Sequence, residues 1–178
     1  ASENASAVGY GNNANALAAS AVGYNNTAGG VGSSTIGYNN TATNENASAF
    51  GYGNTAGGLA SSAFGFSNTA SGDNANAFGY NNIASGSKSN VFGTGNTVSG
   101  SSSNAVGTAN EVAAENSTAI GNNNTISSGA ENSAALGNNI SISLKDSVAL
   151  GNNSTATAIN SVTGNSSYTK WAGVSDVV

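Results

Sequence analysis

A short motif, Ser/Asn-Ala-φ-Gly with φ a large apolar residue, recurs down this chain at a period that leaves few folds open. The φ positions are Val8, Val22, Ile36, Phe50, Phe64, Phe78, Phe92, Val106, Ile120, Leu136 and Leu150. From Val8 to Ile120 the step is 14 residues, eight times running; one step of 16 follows, and 14 then resumes. A 14-residue unit is too short for a helical hairpin. Each repeat is therefore expected to form one coil of an all-β solenoid, with two short strands and two turns.

Written in columns of 14, the repeats show which residues share a strand face, because alternate residues of a strand point to opposite sides. Glycine always follows φ. Two residues after φ stands an aromatic column, Tyr10, Tyr24, Tyr38, Tyr52, Phe66 and Tyr80, which fades to Thr94, Thr108, Asn122, Asn138 and Asn152. Six after φ, a small apolar column marks the second strand: Ala14, Ala28, Ala42, Ala56, Ala70 and Ala84, then Val98, Val112, Ile126, Ile142 and Ala156. Between them run Asn12, Asn26, Asn40, Asn54, Asn68, Asn82, Asn96, Asn110 and Asn124. Asparagine in that place is expected at a turn that needs left-handed backbone geometry or side-chain capping.

On the first strand, φ and the aromatic share one face, while the other face reads as alanine and glycine, as at Ala7, Ala49 and Ala63. The small face is expected to look into a narrow coil and the large face outward. Ordering a residue costs roughly 1 to 2 kcal/mol, whereas a buried alanine methyl returns about 0.8 kcal/mol. Coil interiors alone do not sustain such a fold. Eleven coils stacked at about 4.8 Å carry an outward apolar stripe roughly 50 Å long, of the kind that marks an association surface. Identical stripes are most simply buried by copies rotated about a common axis, so a homo-oligomer is expected.

Composition removes several function classes. The 5 Phe, 6 Tyr and 1 Trp are too few for a conventional core. With three Lys, no Arg and a net charge of −5, no basic patch is available for phosphates, and nucleic acid is not an expected partner. No apolar stretch approaches the roughly 18 residues of a spanning helix, and neither an export signal nor membrane contact is read here. The chain has no Cys, His or Pro. A hydrolase would need paired carboxylates or a Ser-Lys arrangement, yet Glu3, Glu45, Asp73, Glu115 and Glu131 all lie five residues before φ. That spacing reads as solvated turn charge, at most a weak attraction for cations. No catalytic residue, metal site or cofactor is expected. Gly9-Tyr10-Gly11 and Gly51-Tyr52-Gly53 are repeat glycines with no alternating strand and helix around them, so they form no phosphate loop. Sequons such as Asn4-Ala5-Ser6 and Asn116-Ser117-Thr118 are expected by chance in so Asn-rich a chain. A column of threonines five after φ (Thr27, Thr41, Thr55, Thr69, Thr97, Thr125, Thr155) admits an ice-binding solenoid. The column two further on, with Gly29, Thr43, Gly57, Ser71 and Ser85, supplies no second threonine rank, and a packed ladder is the favoured reading. The aromatic column is likewise assigned to packing.

The repeats N-A-S-A-V-G-Y at 4–10, N-S-T-A-I-G-N at 116–122 and D-S-V-A-L-G-N at 146–152 resemble the head repeats of YadA-like trimeric autotransporter adhesins. The likeness covers residues 1–158, nearly the whole chain. It implies a left-handed parallel β-roll assembled as a homotrimer, with the φ column in the trimer packing. It further implies a bacterial cell-surface protein displayed from the outer membrane on a stalk. Heads of this type hold bacteria to extracellular-matrix proteins such as collagen, fibronectin or laminin, to host-cell receptors, to abiotic surfaces or to one another. A purely structural spacer is the remaining alternative. Residues 159–178, with Tyr168, Lys170 and Trp171, break the period and read as the end of the roll and the start of an insertion; the N-V-A-A-G neck motif is not present. The resemblance sets an expected solution mass of three times the 17.1 kDa chain, measured by light scattering with sedimentation; a folded monomer would contradict it.

Overall fold

A computed structural model describes residues 2–157, and the segment 159–178 singled out above lies outside the described residues. Twenty-two strands alternate long and short, from β1 (Ser6–Tyr10) and β2 (Asn13–Ala14) to β21 (Val148–Asn152) and β22 (Thr155–Ala156). The long strands form one parallel 11-stranded sheet and the short strands a second, each in strict coil order. The pairing register equals the repeat: Phe50 sits beside Phe64, and Tyr52 beside Phe66. Across the 16-residue step the register holds, with Ile120 opposite Leu136, because the two extra residues are taken up outside the strands. The architecture is thus a parallel β-solenoid of eleven coils.

The two sheets face each other across an interior filled by small side chains. Ala49, Ala63 and Ala77 from the long strands and Ala56, Ala70 and Ala84 from the short ones are fully buried. The inward column of the long strands is not purely alanine and glycine, as the sequence reading had it. Thr35 and Val91 occupy it and are fully buried, Thr35 with its hydroxyl 3.4 Å from the carbonyl of Ser20. The short-strand column widens to Val98, Val112, Ile126 and Ile142 toward the C-terminal end, all fully buried.

Of the two roles expected of the asparagine column, side-chain capping is the one it fills. The left-handed geometry falls one residue earlier, at Asn25, Asn39, Ser67, Asn81 and Asn123, with φ between 54° and 55°. Asn26 through Asn96 are fully buried and capture backbone and neighbouring side chains. At Asn54, Nδ2 donates to the Oδ1 of Asn40 at 3.0 Å, to the carbonyl of Phe50 at 2.9 Å and to the carbonyl of Gly65 at 2.7 Å. Its own Oδ1 accepts from the backbone N–H and the Nδ2 of Asn68, both at 3.0 Å. The same bonds repeat at successive coils until Asn124, whose Oδ1 accepts from the backbone N–H of Ile140 at 3.0 Å. A turn that would bury unpaired carbonyls is thereby satisfied from within.

Glycine after φ is part of the same device. Gly65 has φ +117°, and a Cβ built there would lie 2.1 Å from the carbonyl oxygen of Gly79. Only glycine lets the backbones approach closely enough for Asn68 Nδ2 to reach the Gly79 carbonyl at 2.7 Å. Asn68→Ala would strip several buried partners at once, each worth about 1 to 3 kcal/mol when left unsatisfied. We expect it to lower the midpoint of urea unfolding far more than Asn12→Ala at the first coil, where the asparagine is only half-buried; equal midpoints would contradict a ladder whose members support one another.

Candidate functional site

The outward columns form the candidate functional surface of the described residues, and the pleat decides which residues stand on it. All of the φ column points out of the coil. Val22, Ile36, Phe92, Val106, Ile120, Leu136 and Leu150 are exposed, and Phe50, Phe64 and Phe78 are half-buried against one another. Those phenylalanines stack face to face: ring centroids lie 4.7 Å apart for Phe50–Phe64, 4.9 Å for Phe64–Phe78 and 5.1 Å for Phe78–Phe92. The exposed stripe expected from the columns is therefore real in the single chain.

Two residues along, Tyr10, Tyr24, Tyr38, Tyr52, Phe66 and Tyr80 form a second stack on the same face. Their centroids are separated by between 4.8 and 5.2 Å, and Tyr24–Tyr38 are tilted by only 4°. In-register pairing at the coil spacing forces this arrangement. Ring faces are taken by neighbouring rings, so what the stack presents outward is ring edges and phenol hydroxyls. Where the aromatics end, amides continue the column: Asn122 donates to Asn138 and Asn138 to Asn152, each at 2.7 Å. A parallel ladder runs two residues before φ, with Asn76 donating to Asn90 at 2.8 Å and Asn90 to Asn104 at 3.0 Å.

The turn column five before φ holds the acids, and it holds more than the sequence reading noticed. Leu17, Val31 and Leu59 occupy the same column and are 43–46% exposed. Their signal was available in the column alignment, but reading that column for charge alone passed over them. The carboxylates are spread along the turns; Asp73 Oδ1 accepts from the backbone N–H of Leu59 at 2.9 Å. Among the described residues, no group of three or more His, Cys, Asp or Glu converges on a point that could hold a metal ion. On the outer face of the short-strand sheet, the threonine column is interrupted by exposed Ile83 and Glu111.

What such a surface offers is repetition. The φ face is the candidate association surface, and the Asn, Ser and Thr ladders elsewhere are candidate contact surfaces for something extended. Phe64→Asp places a charge in the middle of the φ stack, and we expect the sedimentation mass to fall to one chain or the fold to be lost. A stable assembly would mean that the φ face is not what holds copies together.

The YadA head domain repeat (2 copies) matches residues 2–26, 28–54, 56–82, 70–96, 99–124 and 145–162. The unmatched stretch 125–144 contains the two extra residues of the 16-residue step, between Ile126 and Ala134, where the period itself departs from the rule. Comparison with curated proteins returns no match. The matched family is a structural, adhesin type of domain from surface-displayed trimeric autotransporters, not an enzyme family. With matches over most of its length and eleven coils in one register beneath them, this chain belongs to the YadA head family.

Proposed function

We propose that this chain is the adhesive head of a bacterial surface fibre. It works as a homotrimer of left-handed rolls displayed from the outer membrane, with the φ column and the aromatic column packed between chains. The head attaches the cell to host extracellular matrix, to host-cell receptors or other surfaces, and to neighbouring cells. The observation that carries this reading is the unbroken run of eleven coils. It makes a rigid rod whose two broad faces differ, one apolar and suited to burial against copies, the other a polar lattice at fixed spacing. Identical weak sites repeated at fixed spacing bind extended partners through multivalency, since each further contact forms at high effective concentration.

Multivalency of this kind has a measurable consequence. Deleting residues 53–80, two whole repeats, keeps the register of the remaining coils. On bacteria displaying the full-length protein, that deletion should weaken attachment to surfaces coated with collagen, fibronectin or laminin in a graded way. Deleting all eleven coils should abolish it. Unchanged attachment after the complete deletion would leave the head as a spacer.

A further inference from the structure

The column two after φ ends in asparagine, and at the same coils so does the turn column beside it. Asn122-Asn123, Asn138-Asn139 and Asn152-Asn153 are the last three pairs; in the eight coils before them the first place of the pair is held by Tyr, Phe or Thr. In-register stacking turns the three pairs into a grid of six amides. Asn122 Nδ2 donates to Asn138 Oδ1 and Asn138 Nδ2 to Asn152 Oδ1, each at 2.7 Å, and Asn123 Nδ2 donates to Asn139 Oδ1 at 2.8 Å. Asn138 is half-buried and the other five are exposed. The backbone beneath them is pinned as well, with the N–H groups of Asn139 and Asn153 donating to the carbonyls of Asn122 and Asn138 at 2.9 Å.

The turn itself does not call for these amides. Its carbonyls are satisfied from inside by the buried ladder, as Asn124 Nδ2 does for Ile120 and Gly137, and in other coils the turn place is held by Ser67, Gly95 or Ala109. An amide carries two N–H donors and two acceptor lone pairs. Asn138 spends one donor on Asn152 and one lone pair on Asn122, which leaves one of each for a ligand. Donors and acceptors are therefore offered together, at a coil spacing of about 4.8 Å, and neither column holds a charge. Glu115, Glu131, Lys145 and Asp146 all stand before the long strands, at their other end. An anion needs an excess of donors, and a cation needs converging carboxylates. A hydroxyl both donates and accepts, so the complement of the grid is a molecule with many hydroxyls, no charge and a short linear repeat.

We infer that the asparagine grid of these three coils binds a linear, uncharged polysaccharide laid along the coil axis. This deepens the adhesive reading, on which it rests, by naming the chemical class of one partner. The ladder bonds hold the amides in place before the ligand arrives, which lowers the ordering cost of binding. Successive sugar units meet successive coils, so that individually weak contacts act together. The tyrosine stretch of the same column has its ring faces taken by neighbouring rings and offers no such grid.

Titration calorimetry of the whole 178-residue chain with linear hexasaccharides of glucose, mannose and N-acetylglucosamine tests this, with a sulfated hexasaccharide as the charged comparison. At least one neutral sugar should bind, and the sulfated one should not. Asn122→Ala, Asn138→Ala and Asn152→Ala together should weaken that binding by about tenfold or more. Asn123→Gly with Asn139→Gly and Asn153→Gly removes amides from turn positions at φ 55°, 55° and 58° that glycine adopts without strain, and should weaken it likewise. Asn76→Ala with Asn90→Ala and Asn104→Ala, in the ladder two before φ, should leave it unchanged. No binding by any neutral hexasaccharide, or equal binding by the sulfated one, overturns the inference. An equal loss in the Asn76 set places the sugar elsewhere and overturns it too, as does a fall in sedimentation mass on the grid substitutions, which would make the grid a contact between copies. Attachment of bacteria to matrix-coated surfaces is scored separately, so failure of the sugar to bind with attachment intact overturns the sugar site alone.

Discussion

The fold depends on an amide that is satisfied in both directions. Each buried asparagine holds its own coil's turn by donating to the φ carbonyl and holds its neighbours on either side through Oδ1 and Nδ2, as Asn54 does between Asn40 and Asn68. A hydrogen bond inside a low-dielectric interior is stronger than one in water, and a chain of such bonds polarises its members. That strengthening suits a solenoid whose hydrophobic interior is mostly alanine, since methyl burial alone returns less than the backbone loses on ordering. The glycine after φ exists to let this happen: it brings the next coil's carbonyl to within reach of the amide, at positive φ, where a side chain would collide.

From that ladder the outward surfaces follow. Once the coils are locked in register, every column becomes a ladder of like residues at the coil spacing. Phenylalanines must stack on phenylalanines and tyrosines on tyrosines. Asparagines beyond the aromatic column link into amide ladders of their own. Among the described residues the outward surface is thus a set of columns rather than of single distinctive side chains. The φ and aromatic columns lie together on the outer face of the long-strand sheet, apart from the threonine column of the short-strand sheet.

The C-terminal third shows how the device tolerates change. Asparagine gives way to Ile140 and then Ser154 in the ladder column, both buried, and Ile140 still donates its backbone N–H to Asn124. The interior there holds larger side chains, with Ile126 and Ile142 replacing alanine. Aliphatic packing thus takes over as the amide ladder ends, and the 16-residue step sits at this same handover without disturbing the strand pairing.

Much of this was legible in the sequence because period and pleat are both local rules. A step of 14 set the number of coils and the two strands in each, and alternation on the strand set which residues face out. The same columns exposed the φ stripe and the aromatic row. What only the tertiary structure decided is where the polar residues go. An asparagine beside a turn satisfies the same local rule whether it caps from solvent or from the interior, and only the neighbouring coil, which supplies Gly65 and Asn68 to Asn54, makes the buried place the favourable one. Room for Thr35 and Val91 inside the coil likewise depends on the space opposite them.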